Sequence, residues 1–220
     1  MLIKLVNICK SYGVETNRIT VLRNISIGVD FKEFIAIMGK SGCGKTTLIN
    51  ILATIIKPDS GDYFFDEDDI SAYKENELAA LKRRNISVVF QDFNLIEDLN
   101  IKNNIILPFI FDKSQYDKEY LEKILKDLDI DKIMDKYPEE ISGGEKQRVA
   151  IARALLIKPK VILADEPTGN LDSENSAIVI KMLRKCVDEY GSTVVMVTHD
   201  YDMAKNADRI YEMSDGKIIR

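Results

Sequence analysis

The apolar run Phe34-Ile-Ala-Ile-Met38 passes directly into Gly39-Lys-Ser-Gly-Cys-Gly-Lys-Thr46. No other stretch of the chain restricts the fold so tightly. Five apolar residues predict a buried strand, the glycines let the backbone curl, and the residues from about Lys45 onward read as a helix, so G-x-x-x-x-G-K-[ST] stands in a strand–loop–helix setting. Such a loop turns several N–H groups inward and adds the positive end of the helix dipole. Gly39, Lys40, Ser41, Gly42, Cys43, Gly44, Lys45, Thr46 and Thr47 are therefore expected to cradle phosphates. Lys45 is placed to reach the β- and γ-phosphates and Thr46 to ligate Mg²⁺. The loop alone does not separate a kinase, a GTPase and a transport ATPase.

Further apolar runs at Ile86–Phe90, Val161–Ala164 and Thr193–Thr198 alternate with helix-like segments, which predicts an α/β fold with a mostly parallel central sheet. The near-continuous apolarity of Val161–Ala164 and Val194–Val197 marks strands covered on both faces. Ile25, Ile27 and Val29 alternate, and Gly61 introduces a second β-like run at Asp62–Phe65, so a small N-terminal antiparallel sheet is expected. Residues from about Asn94 to Lys136 read as helical. Tyr120, Leu121, Ile124, Leu125 and Leu128 recur there at amphipathic spacing. The expected organisation is one domain: a nucleotide-binding core with its β subdomain over residues 1–93 and 159–220, and a helical subdomain over 94–158.

Composition excludes more than it assigns. With 220 residues, 45% hydrophobic and 30% charged at a net charge of -5, the chain has no general attraction for nucleic acid or anionic lipid. Its best candidate for a membrane span, Ile105–Phe111, is far short of the about 20 residues required. The N-terminus lacks the pattern of a secretory signal, so the expected compartment is the cytoplasm. Cys9, Cys43 and Cys186 are too widely spaced for a metal motif and are expected to be reduced thiols.

Two consecutive carboxylates, Asp165 and Glu166, follow the apolar Val161–Ala164 run. Ligands of open α/β sheets bind beyond the carboxyl ends of the strands, so this pair is expected beside the phosphate loop. Asp165 suits the Mg²⁺ shell and Glu166 an attacking water. His199, the only histidine, follows a third apolar run. As a residue type it is either structural or a group that bonds a γ-phosphate or orients water.

The segment from Ile141 through Ser142-Gly-Gly-Glu-Lys-Gln-Arg148 to Leu155 closely resembles the signature motif of ABC ATPases. Ser142 and Glu145 also spell a capping box, which would start a helix continuing to about Lys158 whatever its function. The two readings are compatible, because a capped helix behind two glycines offers N–H groups to an anion. The resemblance implies that Ser142, Gly143 and Gly144 hold the γ-phosphate of ATP bound on a second subunit, in a head-to-tail homodimer. It further implies that Tyr12 stacks on adenine and that Gln91 senses both Mg²⁺ and an integral membrane permease subunit. Asn170-Leu171-Asp172 resembles the D-loop, which carries Asp172 to the dimer interface. Glu166 becomes the catalytic base, His199 the switch histidine, and Lys45 the phosphate-stabilising cation. ATP and Mg²⁺ are the implied cofactors, no nucleic acid is involved, and the location is the cytoplasmic face of the membrane. The permease is expected to dock near Gln91 to Leu107.

Ala164–Asp172, Val89–Leu95 and Val197–Asp200 are most similar to the branch containing macrolide-export, lipoprotein-release, peptide-resistance and cell-division ATPases. Lysine outnumbers arginine 22 to 9, a bias of AT-rich coding, which tilts the expectation toward antimicrobial-peptide or macrolide export. The alternative is a lipoprotein-release or cell-division ATPase acting by mechanical signalling. Departures from the family pattern are Lys32 in place of Gly, Ile141 and Lys146 in place of Leu and Gln, and Cys43 in place of Ser. Alkylation of Cys43 is expected to block nucleotide binding.

Overall fold

A computed structural model describes residues 1–14 and 17–219. Its strands are β1 (Ile3–Tyr12), β2 (Ile19–Val29), β3 (Phe34–Met38), β4 (Ser60–Phe65), β5 (Asp68–Asp69), β6 (Ile86–Val89), β7 (Val161–Asp165), β8 (Thr193–Thr198), β9 (Arg209–Ser214) and β10 (Lys217–Ile218). The helices are α1 (Lys45–Leu52), α2 (Glu75–Asn85), α3 (Ile101–Asp112), α4 (Lys118–Asp127), α5 (Gly143–Leu156), α6 (Ser173–Asp188) and α7 (Tyr201–Ala204).

Two sheets result. One is antiparallel, in the order β2-β1-β4-β5, and the other runs β10-β9-β3-β8-β7-β6. In the second, β9, β3, β8, β7 and β6 are mutually parallel and only β10 is antiparallel. Parallel strands need cover on both faces, and the period-two alternation of side chains supplies two cores. Phe34, Ala36, Ile162, Ala164, Val194 and Met196 face a cluster built with α3, α4, α5 and α6. Ile35, Ile37, Val161, Leu163, Val195 and Val197 face the opposite cluster, shared with α1 and the antiparallel sheet. The helical segment thus has no core of its own; it closes one face of the central sheet.

The helical expectation for 94–136 holds only in part. Helix begins at Ile101, because Asn104, wholly buried, donates from Nδ2 to the carbonyls of Ile96 and Leu99 and accepts from the Ile96 N–H. That side chain satisfies the backbone of residues 96–99 as a turn, so helix is not required there. Phe93 and Asn94, at φ 61° and 49°, reverse the chain just before it. In α4, Leu121, Ile124 and Leu125 are buried as their spacing predicts. The capping box forms as expected: Ser142 accepts from the Glu145 N–H, and Glu145 accepts from the Ser142 N–H at 2.8 Å. Lys32, at φ 56°, explains the glycine usual at its position. It adopts a left-handed conformation that costs an ordinary residue about 1–2 kcal/mol.

Candidate functional site

The carboxyl ends of β3, β7 and β8 lie side by side, with Met38 paired to Thr198 and Asp165 to Val197. The loops leaving them converge by necessity. After β3, the backbone passes through Gly44 at φ 107° into α1, whose first turn has neither a side-chain cap nor an acidic residue. A β-carbon at Gly44 would also lie 2.9 Å from Met213 Cε, so glycine is required there twice over. The uncapped N–H groups of that turn leave a ready anion site.

Lys45 is 7% exposed, and its Nζ donates to the carbonyls of Gly39 at 2.7 Å and Lys40 at 3.2 Å. Glu166 Oε1 stands 3.5 Å from the same Nζ. Glu166 itself is at φ 46°, a left-handed conformation costing of order 1–3 kcal/mol that persists only where the surroundings impose it. Here they do: its N–H donates to the Val197 carbonyl, and its own carbonyl accepts from the Gly169 N–H. Oε2 accepts from the His199 backbone N–H at 3.3 Å and lies 3.0 Å from His199 Nδ1. An ionised carboxylate only accepts, so the pairing places the imidazole proton on Nδ1. One strained carboxylate therefore joins the phosphate-loop lysine to the lone histidine.

These groups line a cleft of about 440 Å³ with Val21, Ser41, Gly42, Gly44, Thr46, Thr47 and Gln91. Asp165 lies behind it, and burial, reinforced by the neighbouring Glu166 charge and partly relieved by Lys45, pushes its carboxyl above the ordinary carboxylate range. Its Oδ1 is buried with no hydrogen-bond partner. An orphaned carboxylate oxygen at the end of β7, with a hydroxyl (Thr46) and a carboxamide (Gln91) lining the cleft, supplies the hard oxygen donors that Mg²⁺ takes. The residues present fit that ion.

Other expected site residues lie elsewhere. Tyr12 ends β1, paired with Ile19 two positions from the cleft residue Val21; its ring is exposed, under Lys10 Nζ at 5.7 Å, and is not among the residues lining the cleft. Ser142, Gly143 and Gly144 do not meet the phosphate loop of their own chain. They sit at the N-terminus of α5, against Phe93, Leu171 and Asn175. Asp172 caps α6, accepting from the Asn175 N–H and side chain, bonds that hold its carboxyl below the ordinary range. Cys43 requires a correction. Its side chain is 9% exposed and belongs to the core beneath the loop, with Sγ against Gly39, so only its backbone is available to the cleft and the thiol is poorly accessible.

Three contacts were not legible in the motifs. Arg153, half-buried on α5, donates to the carbonyls of Phe93 at 2.8 Å and Asn94 at 2.7 Å, clamping the reversal that follows Gln91. Asn170 bonds Gln91, and Asn175 packs on Gly144. All three join segments far apart in sequence.

Comparison with known proteins agrees with this geometry. A family model described as ABC transporter matches residues 22–169. A macrolide export ATP-binding/permease protein, MacB, of Campylobacter jejuni is 42% identical over 220 residues, covering 99% of this chain but 34% of its own length. The chain thus spans about a third of that relative. A bacitracin export ATP-binding protein, BceA, of Halalkalibacterium halodurans is 41% identical over 96% of this chain and 85% of its own. Among solved structures, a dimeric bacterial ABC transporter cassette, MJ0796, superposes with a TM-score of 0.90 at 38% identity, covering 100% of this chain and 97% of that one. The same cassette in a dimeric post-hydrolysis state with ADP and Pi gives a TM-score of 0.88.

Proposed function

The chain belongs to the ABC transporter family, and on that footing we propose that it binds and hydrolyses ATP as the energy-converting subunit of a membrane exporter. The observation that carries this reading is Glu166, held in a strained conformation between Lys45 and His199 at the mouth of the phosphate loop. The loop N–H groups and Lys45 bind the triphosphate, and Tyr12 stacks on the base. Mg²⁺, held by Thr46, Gln91 and Asp165, neutralises phosphate charge when bound.

Glu166 orients water against the γ-phosphorus and takes its proton as the P–O bond to ADP breaks; such a base is worth about 10²–10⁴-fold in rate. His199, fixed by its Nδ1 bond to Glu166, presents Nε2 toward the cleft. Ser142, Gly143 and Gly144 lie away from their own loop, so they serve the loop of a second copy. Two chains arranged head to tail enclose two nucleotides, with Asp172 near the seam.

No helix of the described residues is long and apolar enough to cross a membrane. The chain acts at the cytoplasmic face on an integral membrane permease. Its docking site is the groove of about 480 Å³ between α2, β6, α3 and α5, which Arg153 lines while also clamping the segment after Gln91. The cargo is an antimicrobial peptide or a macrolide, a reading supported by relatives named for macrolide export and for bacitracin export.

The test is the solution mass of Glu166→Gln with and without Mg-ATP. A nucleotide-dependent dimer that is lost on adding Ser142→Arg supports the shared site. Mg-ATP binding to a protein that stays monomeric refutes the trans role of Ser142.

A further inference from the structure

We propose that Asn170 is a positioning residue that decides which end of the Gln91 carboxamide faces the cleft. The inference rests on the reading above, in which Gln91 is a metal ligand. A carboxamide carries a donor end and an acceptor end of nearly equal size. Only the oxygen can ligate a cation, so a glutamine ligand needs something to choose between two nearly isosteric orientations.

Gln91 Nε2 donates to Asn170 Oδ1 at 3.1 Å. No described residue donates to Gln91 Oε1, and Gln91 lines the cleft beside Thr46 and Glu166. With Nε2 committed to Asn170, Oε1 is the end left for a ligand.

The choice has a source. Asn170 could itself turn over, but its Nδ2 donates to the Gln91 carbonyl at 3.3 Å and to Asp92 Oδ1 at 3.1 Å. An ionised carboxylate accepts and never donates, so Asp92 draws the NH₂ of Asn170 toward itself and leaves Oδ1 for Gln91. Orientation therefore passes from a charge to Asn170 and from Asn170 to Gln91. Gly169 makes the contact possible, since a β-carbon there would lie 2.9 Å from Gln91 Nε2 and 3.1 Å from its Cδ. The two partners are 79 positions apart and are brought together only because β6 and β7 are adjacent in the sheet.

The test uses Mn²⁺ as the spectroscopic probe, titrated by electron paramagnetic resonance into full-length protein saturated with a non-hydrolysable ATP analogue. Asn170→Ala is expected to weaken Mn²⁺ binding about three- to tenfold, the factor conferred by one hydrogen bond of ordinary strength. In a Gln91→Glu background both ends are oxygen, no orientation need be chosen, and Asn170→Ala is expected to have no effect. A second readout needs no metal. The chain has three glutamines, Gln91, Gln115 and Gln147, so nucleotide-free protein labelled with ¹⁵N at glutamine side chains alone gives three side-chain amide pairs. Asn170→Ala should move the Gln91 pair alone, with unchanged Gln115 and Gln147 signals reporting an intact fold.

Equal losses from Asn170→Ala in the natural protein and in the Gln91→Glu background, or an unchanged Mn²⁺ affinity for Asn170→Ala, would overturn the proposal and leave the ATPase reading standing. A wild-type protein that holds the nucleotide but no Mn²⁺ would overturn the metal-ligand reading itself, and this inference with it.

Discussion

Gly144→Ala should destabilise this protein, and removing the Asn175 side chain should reverse the sign of that effect. A β-carbon at Gly144 would lie 2.2 Å from Asn175 Oδ1 and 2.7 Å from its Cγ. That is about 1 Å or more inside favourable contact, an overpacking that costs about 1–3 kcal/mol. Asn175 can swing clear only by giving up its 2.8 Å bond to Asp172 Oδ2, itself worth about 0.5–1.5 kcal/mol. In Asn175→Ala the nearest remaining atom is the Asn175 Cβ position at 3.4 Å, an ordinary contact. Gly144 has no positive φ, and alanine is favoured over glycine within a helix by about 0.5–1 kcal/mol. Gly144→Ala is therefore expected to lose about 1–3 kcal/mol in the natural background and to gain up to about 1 kcal/mol in Asn175→Ala. Urea denaturation of the four proteins measures the coupling, expected to be about 1–4 kcal/mol. The same loss in both backgrounds would refute the argument, because the cost of a side chain at Gly144 would then not arise from its contact with Asn175.

Three further outcomes follow from the same geometry. Burial raises the Asp165 carboxyl pKa, so this group supports folding at pH below the ordinary value of 3.8 and loses that contribution as pH rises through the raised value. Asp165→Asn should then gain stability over the natural protein across that rise while losing Mg-nucleotide binding; melting curves with a pH-independent difference would contradict the linkage. Lys32→Gly should be neutral to about 1 kcal/mol stabilising by denaturant titration, because relief of the left-handed strain outweighs the added freedom of the unfolded glycine; a clear loss would mean the lysine side chain contributes packing. Thiol reagents should modify half-buried Cys9 first and spare the buried Cys43 and Cys186; burial also pushes the Cys186 thiol up to about 12. Rapid labelling of Cys43 in the folded, nucleotide-free protein, read by mass spectrometry, would show that the loop opens far more readily than its packing implies.

Much of this protein is set by contiguous residues. The strand–loop–helix around Gly39–Thr46, the doubly covered strands and the Ser142/Glu145 capping box follow from dihedral freedom, near-continuous apolarity and a three-residue spacing, which are local and survive in any context that buries the strands. The convergence of Asp165, Glu166 and His199 on the phosphate loop is also legible, because strands of a parallel sheet deliver their carboxyl ends to one edge. Tertiary structure decided what no spacing encodes. The left-handed turn of Glu166 is imposed by Val197 and Gly169. The burial of Cys43 depends on what lies beneath the loop, and the late start of α3 on the reach of the Asn104 side chain. The pairs Asn170–Gln91, Arg153–Phe93 and Asn175–Gly144 depend on strand order and helix packing. A hydrogen bond between residues 79 positions apart leaves no periodicity in the chain; it exists only once β6 lies beside β7 and their following loops share one cleft.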